Sequence, residues 1–157
     1  MFKGDARAED MLQRMFAGFL HPIIQLMYGV EWEQPAIVAE ALAEASVHKN
    51  RLQDFLVAAE KASLDVKGKM PPILDLMHEV AADPVLSKAA HWEDDNKIYD
   101  GVLARAADEA IRLCSKVRVN AEELEERTAE MFQMALYAAA CAAIHPPKEP
   151  KFDFILM

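Results

Sequence analysis

The stretch "FAGFLHPIIQLMYGVEWEQP", residues Phe16–Pro35, decides how the chain is divided into helices. Pro22 suits the first turn of a helix and disfavours helical geometry at the residue before it. We therefore expect a helix–helix junction at His21, followed by an apolar helix, "PIIQLMYGV", that ends at Gly29. Pro35 then opens the next helix. One imidazole is thereby placed at a junction inside an otherwise apolar run.

Helical signals continue on both sides of this stretch. Asp5 is placed to cap a first helix, whose stripe of apolar residues is Met11, Leu12, Met15, Phe16, Phe19 and Leu20. Further helices are predicted over residues 36–48, 50–63, 73–84, 102–117 and 121–144, and Asn120 with Glu123 resembles a capping box for the last of them. No run alternates between polar and apolar residues as a strand would. The sequence predicts one all-α domain over residues 1–157, a bundle of six to seven helices.

Composition excludes several classes of partner. The 157 residues carry a net charge of −9, which repels nucleic acid and anionic lipid. The longest apolar run, Met131–Ile144, is too short to span a bilayer, so it predicts a helix buried within protein. The two cysteines, Cys114 and Cys141, lack metal-ligand spacing and suit a reducing compartment. We expect a cytoplasmic protein that binds neither nucleic acid nor membrane.

The strongest local pattern of chemically active residues is Glu40, Glu44 and His48. Their i, i+4, i+8 spacing places all three on one helix face. Two carboxylates and an imidazole there could supply metal ligands or acid–base groups. The alternative is a solvated acidic face, with His48 at a helix C-terminus that favours a cation.

His21 also admits two interpretations. It could be a functional imidazole with Gln25 and Tyr28 on the following turns, or a partly buried histidine bonded to a carbonyl. Glu31 and Trp32 follow Gly29, where the chain turns. A tryptophan in such a place is more often part of the core than a platform for a substrate.

The C-terminal block "KFDFILM" is unusually apolar for the end of a domain. Its large apolar residues are Phe152, Phe154, Ile155, Leu156 and Met157. Monomers rarely expose a contiguous patch of that kind. We expect it to be buried in a homo-oligomer interface or against a complementing chain.

Three blocks of the sequence resemble the questin oxidase-like family of fungal secondary metabolism. They are "LHPIIQLMYGVEWEQPAIVAEALAEASVH", "DPVLSKAAHWEDDNKIYDGVLARAADEAIRL" and "EELEERTAEMFQMALYAAACAAIHPPKEPKFDFILM". The likeness runs essentially from end to end, but family members are longer on both sides. The chain thus resembles the central part, or a truncated form, of such a protein.

The resemblance implies oxygenation of an aromatic polyketide. The model reaction is a Baeyer–Villiger-type ring cleavage of an anthraquinone, which places an oxygen atom beside a ring carbonyl. Non-haem iron with mostly histidine ligands is the implied cofactor, and the use of NADPH as reductant is left open. By motif match His21 and His48 are the catalytic candidates, and Glu44 joins them as a metal ligand. Tyr28, Trp32, Glu31 and Gln25 are the candidates for substrate binding.

Two other functions remain open at this point. A truncated relative would have lost redox chemistry and would bind a polyketide or a partner subunit as a helical module. Alternatively, the chain is a piece of a longer enzyme whose other parts complete the site.

Overall fold

A computed structural model describes residues 5–141, with side chains through residue 138, and all regular structure in this part is helical. The α-helices are α1 Ala6–Arg14, α2 His21–Glu31, α3 Pro35–Val47, α4 Phe55–Ser63, α5 Ile73–Ala82, α6 Leu86–Ala89, α7 Leu103–Arg105, α8 Ala107–Cys114 and α9 Leu124–Cys141. Two 3₁₀ turns, Gly18–Leu20 and Ala121–Glu123, and a π-helix, Lys97–Val102, connect them. The predicted all-α class is confirmed.

The predicted number of helices is too low, because the described residues hold nine. Helices α6 and α7 are only four and three residues long. The predicted helix over residues 102–117 is interrupted at Ala106, which leaves helical geometry at φ −144° and ψ 37°. Ala106 is 1% exposed and packs in a cluster with Leu86 and Ala110. Burial of that residue outweighs the helical preference of the local sequence.

Helix termini follow the predictions in part. Asp5 caps α1 by accepting a hydrogen bond from the Arg7 N–H at 2.8 Å. The predicted capping box at residues 120–123 is wrong, since the Asn120 side chain makes no capping hydrogen bond. Glu123 instead lies 3.5 Å from both Lys69 and Arg127. These cations hold its carboxylate away from the helix start.

The junction before Pro22 also differs from the prediction. Helix α1 ends at Arg14, so Phe19 and Leu20 fall outside the predicted apolar stripe and are exposed. Pro22 lies in the first turn of α2, as predicted, but His21 already has helical angles, φ −55° and ψ −45°. Pro22 is fully buried, and this burial outweighs the preference of a pre-proline residue for extended geometry.

The core consists of two clusters. Met15, Ala41 and Ala45 are fully buried where α1, α2 and α3 meet. The second cluster, built around Leu86, Ala89, Ala106 and Ala110, lies between α4, α6 and α8. Hydrogen bonds from Asn50 to Asp10, at 2.8 Å, and from Arg51 to Asp100, at 2.8 Å, attach the α3–α4 loop to both sides.

Helix α9 is less buried than its sequence predicts. Met131, Phe132 and Leu136 are 62%, 71% and 72% exposed, although the apolar run predicted burial on every side. Among the described helices its main packing partner is α5, and the buried Arg127 donates a hydrogen bond to the Met70 carbonyl at 3.0 Å. One packed side covers only part of the apolar residues of α9.

The apolar C-terminal block and Cys141's side chain lie outside the described residues, so the predicted burial of the tail stays a prediction. Over the part of the chain that is described, every helix is too short or too polar to cross a membrane.

Gly29 allows α2 and α3 to pack closely, and its replacement tests this contact. A Cβ at Gly29 would lie 2.8 Å from the Val38 backbone nitrogen, which cannot move away without shifting α3. Gly29→Ala should therefore destabilise the fold by about 1–3 kcal/mol, which lowers the melting temperature by at least about 2 °C. The control is Val47→Ala, at a residue that is 80% exposed at the end of α3. Equal melting temperatures for the two variants would contradict the close packing.

Candidate functional site

The 3₁₀ turn before α2 has an unusual backbone. Gly18, Phe19 and Leu20 are consecutive residues in the left-handed region, with φ of 55°, 56° and 69°. For a non-glycine residue this conformation costs roughly 1–2 kcal/mol. Strained backbone of this kind tends to occur at functional sites, where surrounding contacts hold it.

The His48 imidazole lies directly against this turn. A Cβ at Gly18 would be 2.6 Å from Nε2 of His48, closer than side-chain atoms approach each other. Glycine is therefore required at position 18 both for its positive φ and for contact with the ring. Nε2 is also 3.7 Å from Oε1 of Glu44, and the side chains of Glu44 and His48 are each about one-third exposed. Glu44 and His48 thus form the pair that the helical spacing predicted, while Glu40 is exposed.

His21 meets the same turn from its backbone. Its N–H donates a hydrogen bond to the Gly18 carbonyl, and its side chain is exposed. The turn therefore contacts both predicted histidines, although His48 is largely covered and His21 is not.

The loop after His48 is anchored by a hydrogen-bond network. The Arg14 guanidinium donates to the His48 carbonyl and, at 2.6 Å, to Asp10. The Asn50 amide donates to the same carboxylate at 2.8 Å. The hydrogen bond from Asn50, which has the larger effect, and the one from Arg14 lower the pKa of Asp10. Asp10 stays ionised near neutral pH. It holds Arg14, and Arg14 in turn holds the His48 carbonyl.

The four predicted substrate-binding residues are not equivalent. Tyr28 and Trp32 are 55% and 66% exposed, and Glu31 is exposed near the end of α2. Gln25 is half-buried, and its buried Oε1 has no hydrogen-bond partner among the described residues. A substrate role for these four residues stays a prediction.

The described residues do not by themselves fit an iron site. Among residues 5–141, no three His, Cys, Asp or Glu side chains come together in a way that could hold a metal ion. Glu44 and His48 supply at most two neighbouring ligands, and the exposed His21 does not complete a set with them. The metal assignment of His21, His48 and Glu44 stays a prediction, and no reaction step is derived through iron.

Two features of the structure were missed by sequence analysis. Gln13 is 2% exposed and its Oε1 has no hydrogen-bond partner among the described residues, a rare state for a buried amide. The left-handed turn was also missed. A glycine within "FAGFL" is a visible signal for one left-handed residue, but nothing in the sequence marks Phe19 and Leu20 as the next two.

A double-mutant cycle tests the contact between His48 and Gly18. Gly18→Ala introduces an alanine at positive φ and also forces the imidazole to move. In a His48→Ala background only the backbone cost remains. The free energies of unfolding should therefore show a coupling of at least about 0.5 kcal/mol between the two positions. Additive effects in urea denaturation would show that the ring is not held against the turn.

The sequence of this chain is similar to those of several known proteins. The family model described as questin oxidase-like matches residues 1–157. The questin oxidase of Aspergillus fumigatus is 37% identical, in an alignment covering 98% of this chain and 36% of that protein. The oxidoreductase AflY of Aspergillus parasiticus is 38% identical, covering 100% and 32%. A Baeyer–Villiger monooxygenase of Cryptosporiopsis sp. is 38% identical, covering 96% and 35%.

The chain therefore spans about a third of the length of these curated relatives. The match to the family model nevertheless includes every element described above, from α1 through α9. The resemblance noted in the three sequence blocks is confirmed, and the chain belongs to the questin oxidase-like family.

Proposed function

We propose that this chain takes part in the oxygenation of an anthraquinone-like aromatic polyketide, by a Baeyer–Villiger-type ring cleavage in the cytoplasm of a fungus. The observation that carries the proposal is the family match over residues 1–157. Relatives named questin oxidase and Baeyer–Villiger monooxygenase support the reaction class.

The reaction balances with dioxygen and a two-electron reductant. One oxygen atom is inserted between a ring carbonyl carbon and its neighbouring ring carbon, so one C–C bond breaks and two C–O bonds form. The second oxygen atom leaves as water after taking up two electrons and two protons. A reductant of the NADPH class would supply the electrons.

Within this reaction His48 is the residue best placed to act on a substrate carbonyl. Its ring is held between Gly18 and Glu44, so its direction is defined. An imidazole N–H can donate a hydrogen bond to a carbonyl oxygen as negative charge develops there. Glu44, 3.7 Å from Nε2, would orient the ring. His21, whose backbone N–H donates a hydrogen bond to the Gly18 carbonyl, is the second candidate for contact with the substrate carbonyl.

Oxygen uptake by the purified chain with a hydroxyanthraquinone and NADPH tests the proposal. His48→Ala should reduce turnover by at least about 100-fold if the imidazole polarises the carbonyl or moves a proton. The control is His78→Ala, which removes an exposed imidazole from α5. Metal analysis of the same sample reports whether iron is bound.

Equal turnover in the wild type and in His48→Ala would remove His48 from the mechanism. A chain that binds the quinone and consumes no oxygen would contradict an oxygenase activity of this chain alone, and would favour a binding module.

A second candidate function, partner binding, is favoured by the exposed face of α2. Met27, Tyr28 and Val30, in the second half of α2, are 64%, 55% and 64% exposed, and Trp32, directly after the helix, is 66% exposed. Contiguous exposed apolar residues are typical of an interaction surface. We therefore propose that this face, together with the apolar C-terminal block, is covered by a second copy or by a complementing chain. Residues 1–157 would then act as one helical domain within a larger assembly.

Sedimentation tests this assembly. Met27→Glu introduces a charge into the α2 face and should reduce the mass of any oligomer, as should truncation after Lys151. Leu64→Glu, at a residue that is 82% exposed at the end of α4, is the matched control. A wild-type chain that sediments as a monomer at all concentrations would contradict self-association.

A further inference from the structure

A second site lies at the other end of the α3–α4 loop. A cleft of about 340 Å³ opens between this loop with α4 on one wall and the π-helix with α7 and α8 on the other. That volume is near the lower end of the range for small-molecule sites. Phe55, Leu103, Ala107 and Ile111 provide apolar lining from three different helices.

The rim of the cleft carries a fixed arginine. The Arg51 guanidinium lies 4.6 Å from the centre of the Tyr99 ring, and its Nη2 donates a hydrogen bond to Asp100 at 2.8 Å. A guanidinium has five N–H donors, and the Arg51 side chain is 47% exposed. Stacking and ion pairing therefore orient a group that can still donate to a ligand.

Both walls are built from unusual backbone. Tyr99 and Asp100 belong to the π-helix, a conformation that is rare and often found at functional sites. The Asn96 side chain accepts hydrogen bonds from the N–H groups of Ile98 and Tyr99, at 3.0 and 2.9 Å, which holds this segment in place. On the opposite wall Gln53 has φ of +53°, in the region that non-glycine residues avoid.

The charges at the rim define the class of ligand. Arg51 is already neutralised by Asp100, and Asp54 adds a carboxylate whose side chain makes no capping hydrogen bond at α4. An anion would meet more negative than positive charge there, on a chain whose net charge is −9. A neutral molecule with a carbonyl oxygen facing Arg51 and a hydroxyl facing Asp54 would satisfy both groups. The apolar lining suits a flat ring system.

We propose that this cleft binds a neutral, planar hydroxyaryl ketone or quinone, with Arg51 donating to its carbonyl and Asp54 accepting from its hydroxyl. The class of ligand is argued from the geometry and charges of the cleft. The identification of the cleft as part of the substrate site rests on the proposed function. The Cα atoms of His48 and Arg51 are at most about 11 Å apart, because Arg51 is three positions further along the chain. A ligand of several fused rings in the cleft could therefore extend toward His48.

Titration of the full-length chain with danthron, a neutral dihydroxyanthraquinone, tests the proposal through the absorbance of the dye. Ala104→Phe fills the cleft from an exposed position on its wall, and Arg51→Ala removes the donor. Each should weaken binding at least about tenfold. The matched control is Ala43→Phe, which adds the same side chain at an exposed position of α3 and should change the affinity by less than about twofold. Helical content measured by circular dichroism confirms that the variants fold.

Anthraquinone sulfonate, an anion without hydroxyl groups, separates the ligand classes and should bind more weakly than danthron. Equal or tighter binding of the sulfonate, absence of danthron binding, or danthron binding that Ala104→Phe leaves intact would each overturn the proposal. Danthron that binds in the cleft without oxygen consumption would support this site while contradicting the proposed oxygenase activity of the chain.

Discussion

The hydrogen bond from Arg14 to the His48 carbonyl is the contact on which both candidate sites depend. It ties the end of α3 to α1, and Asp10 extends it to Asn50, two residues further along the loop. A loop without these bonds would be free to carry His48 away from Gly18. Because Asp10 is ionised and accepts both bonds, the network is charge-assisted and stronger than neutral hydrogen bonds of the same length.

The α3–α4 loop also connects the two halves of the core. Its first residue, His48, lies against Gly18 in the turn between α1 and α2, and Arg51 bonds to Asp100 of the π-helix. Strained backbone occurs at both ends, in the left-handed turn at Gly18–Leu20 and at Gln53. Such conformations persist only where surrounding contacts over-determine them. This distribution places the chemically interesting groups on a segment held from both sides.

Helices α2 and α9 also expose apolar side chains to water. Large side chains are in contact with water at Met27 and Val30 on α2, at Trp32 directly after it, and at Phe132 and Leu136 on α9. Burying one such side chain contributes roughly 1.5–3 kcal/mol, so these faces favour association. They are consistent with a chain that spans about a third of its relatives' length. Helix α2 carries both the exposed face and His21, so the proposed assembly surface and one proposed catalytic residue share a helix.

The sequence by itself determined the helical class, most helix positions and the family. Pro22 and Pro35 mark the first turns of α2 and α3 by local steric rules that need no tertiary context, whereas α2 continues past Gly29, its predicted end, to Glu31. The i, i+4 spacing also sufficed to pair Glu44 with His48. These features depend on bonds between near neighbours in the chain, which the order of residues specifies directly.

Only the tertiary structure decided the rest. The break at Ala106, the left-handed Phe19 and Leu20, and the stacking of Arg51 on Tyr99 all depend on contacts between distant segments. Local propensity favoured a continuous helix across Ala106, and burial of that residue in the second cluster reversed the preference. The cleft was invisible for the same reason, since its two walls are about 50 residues apart in the chain and meet only when α4 packs on α8.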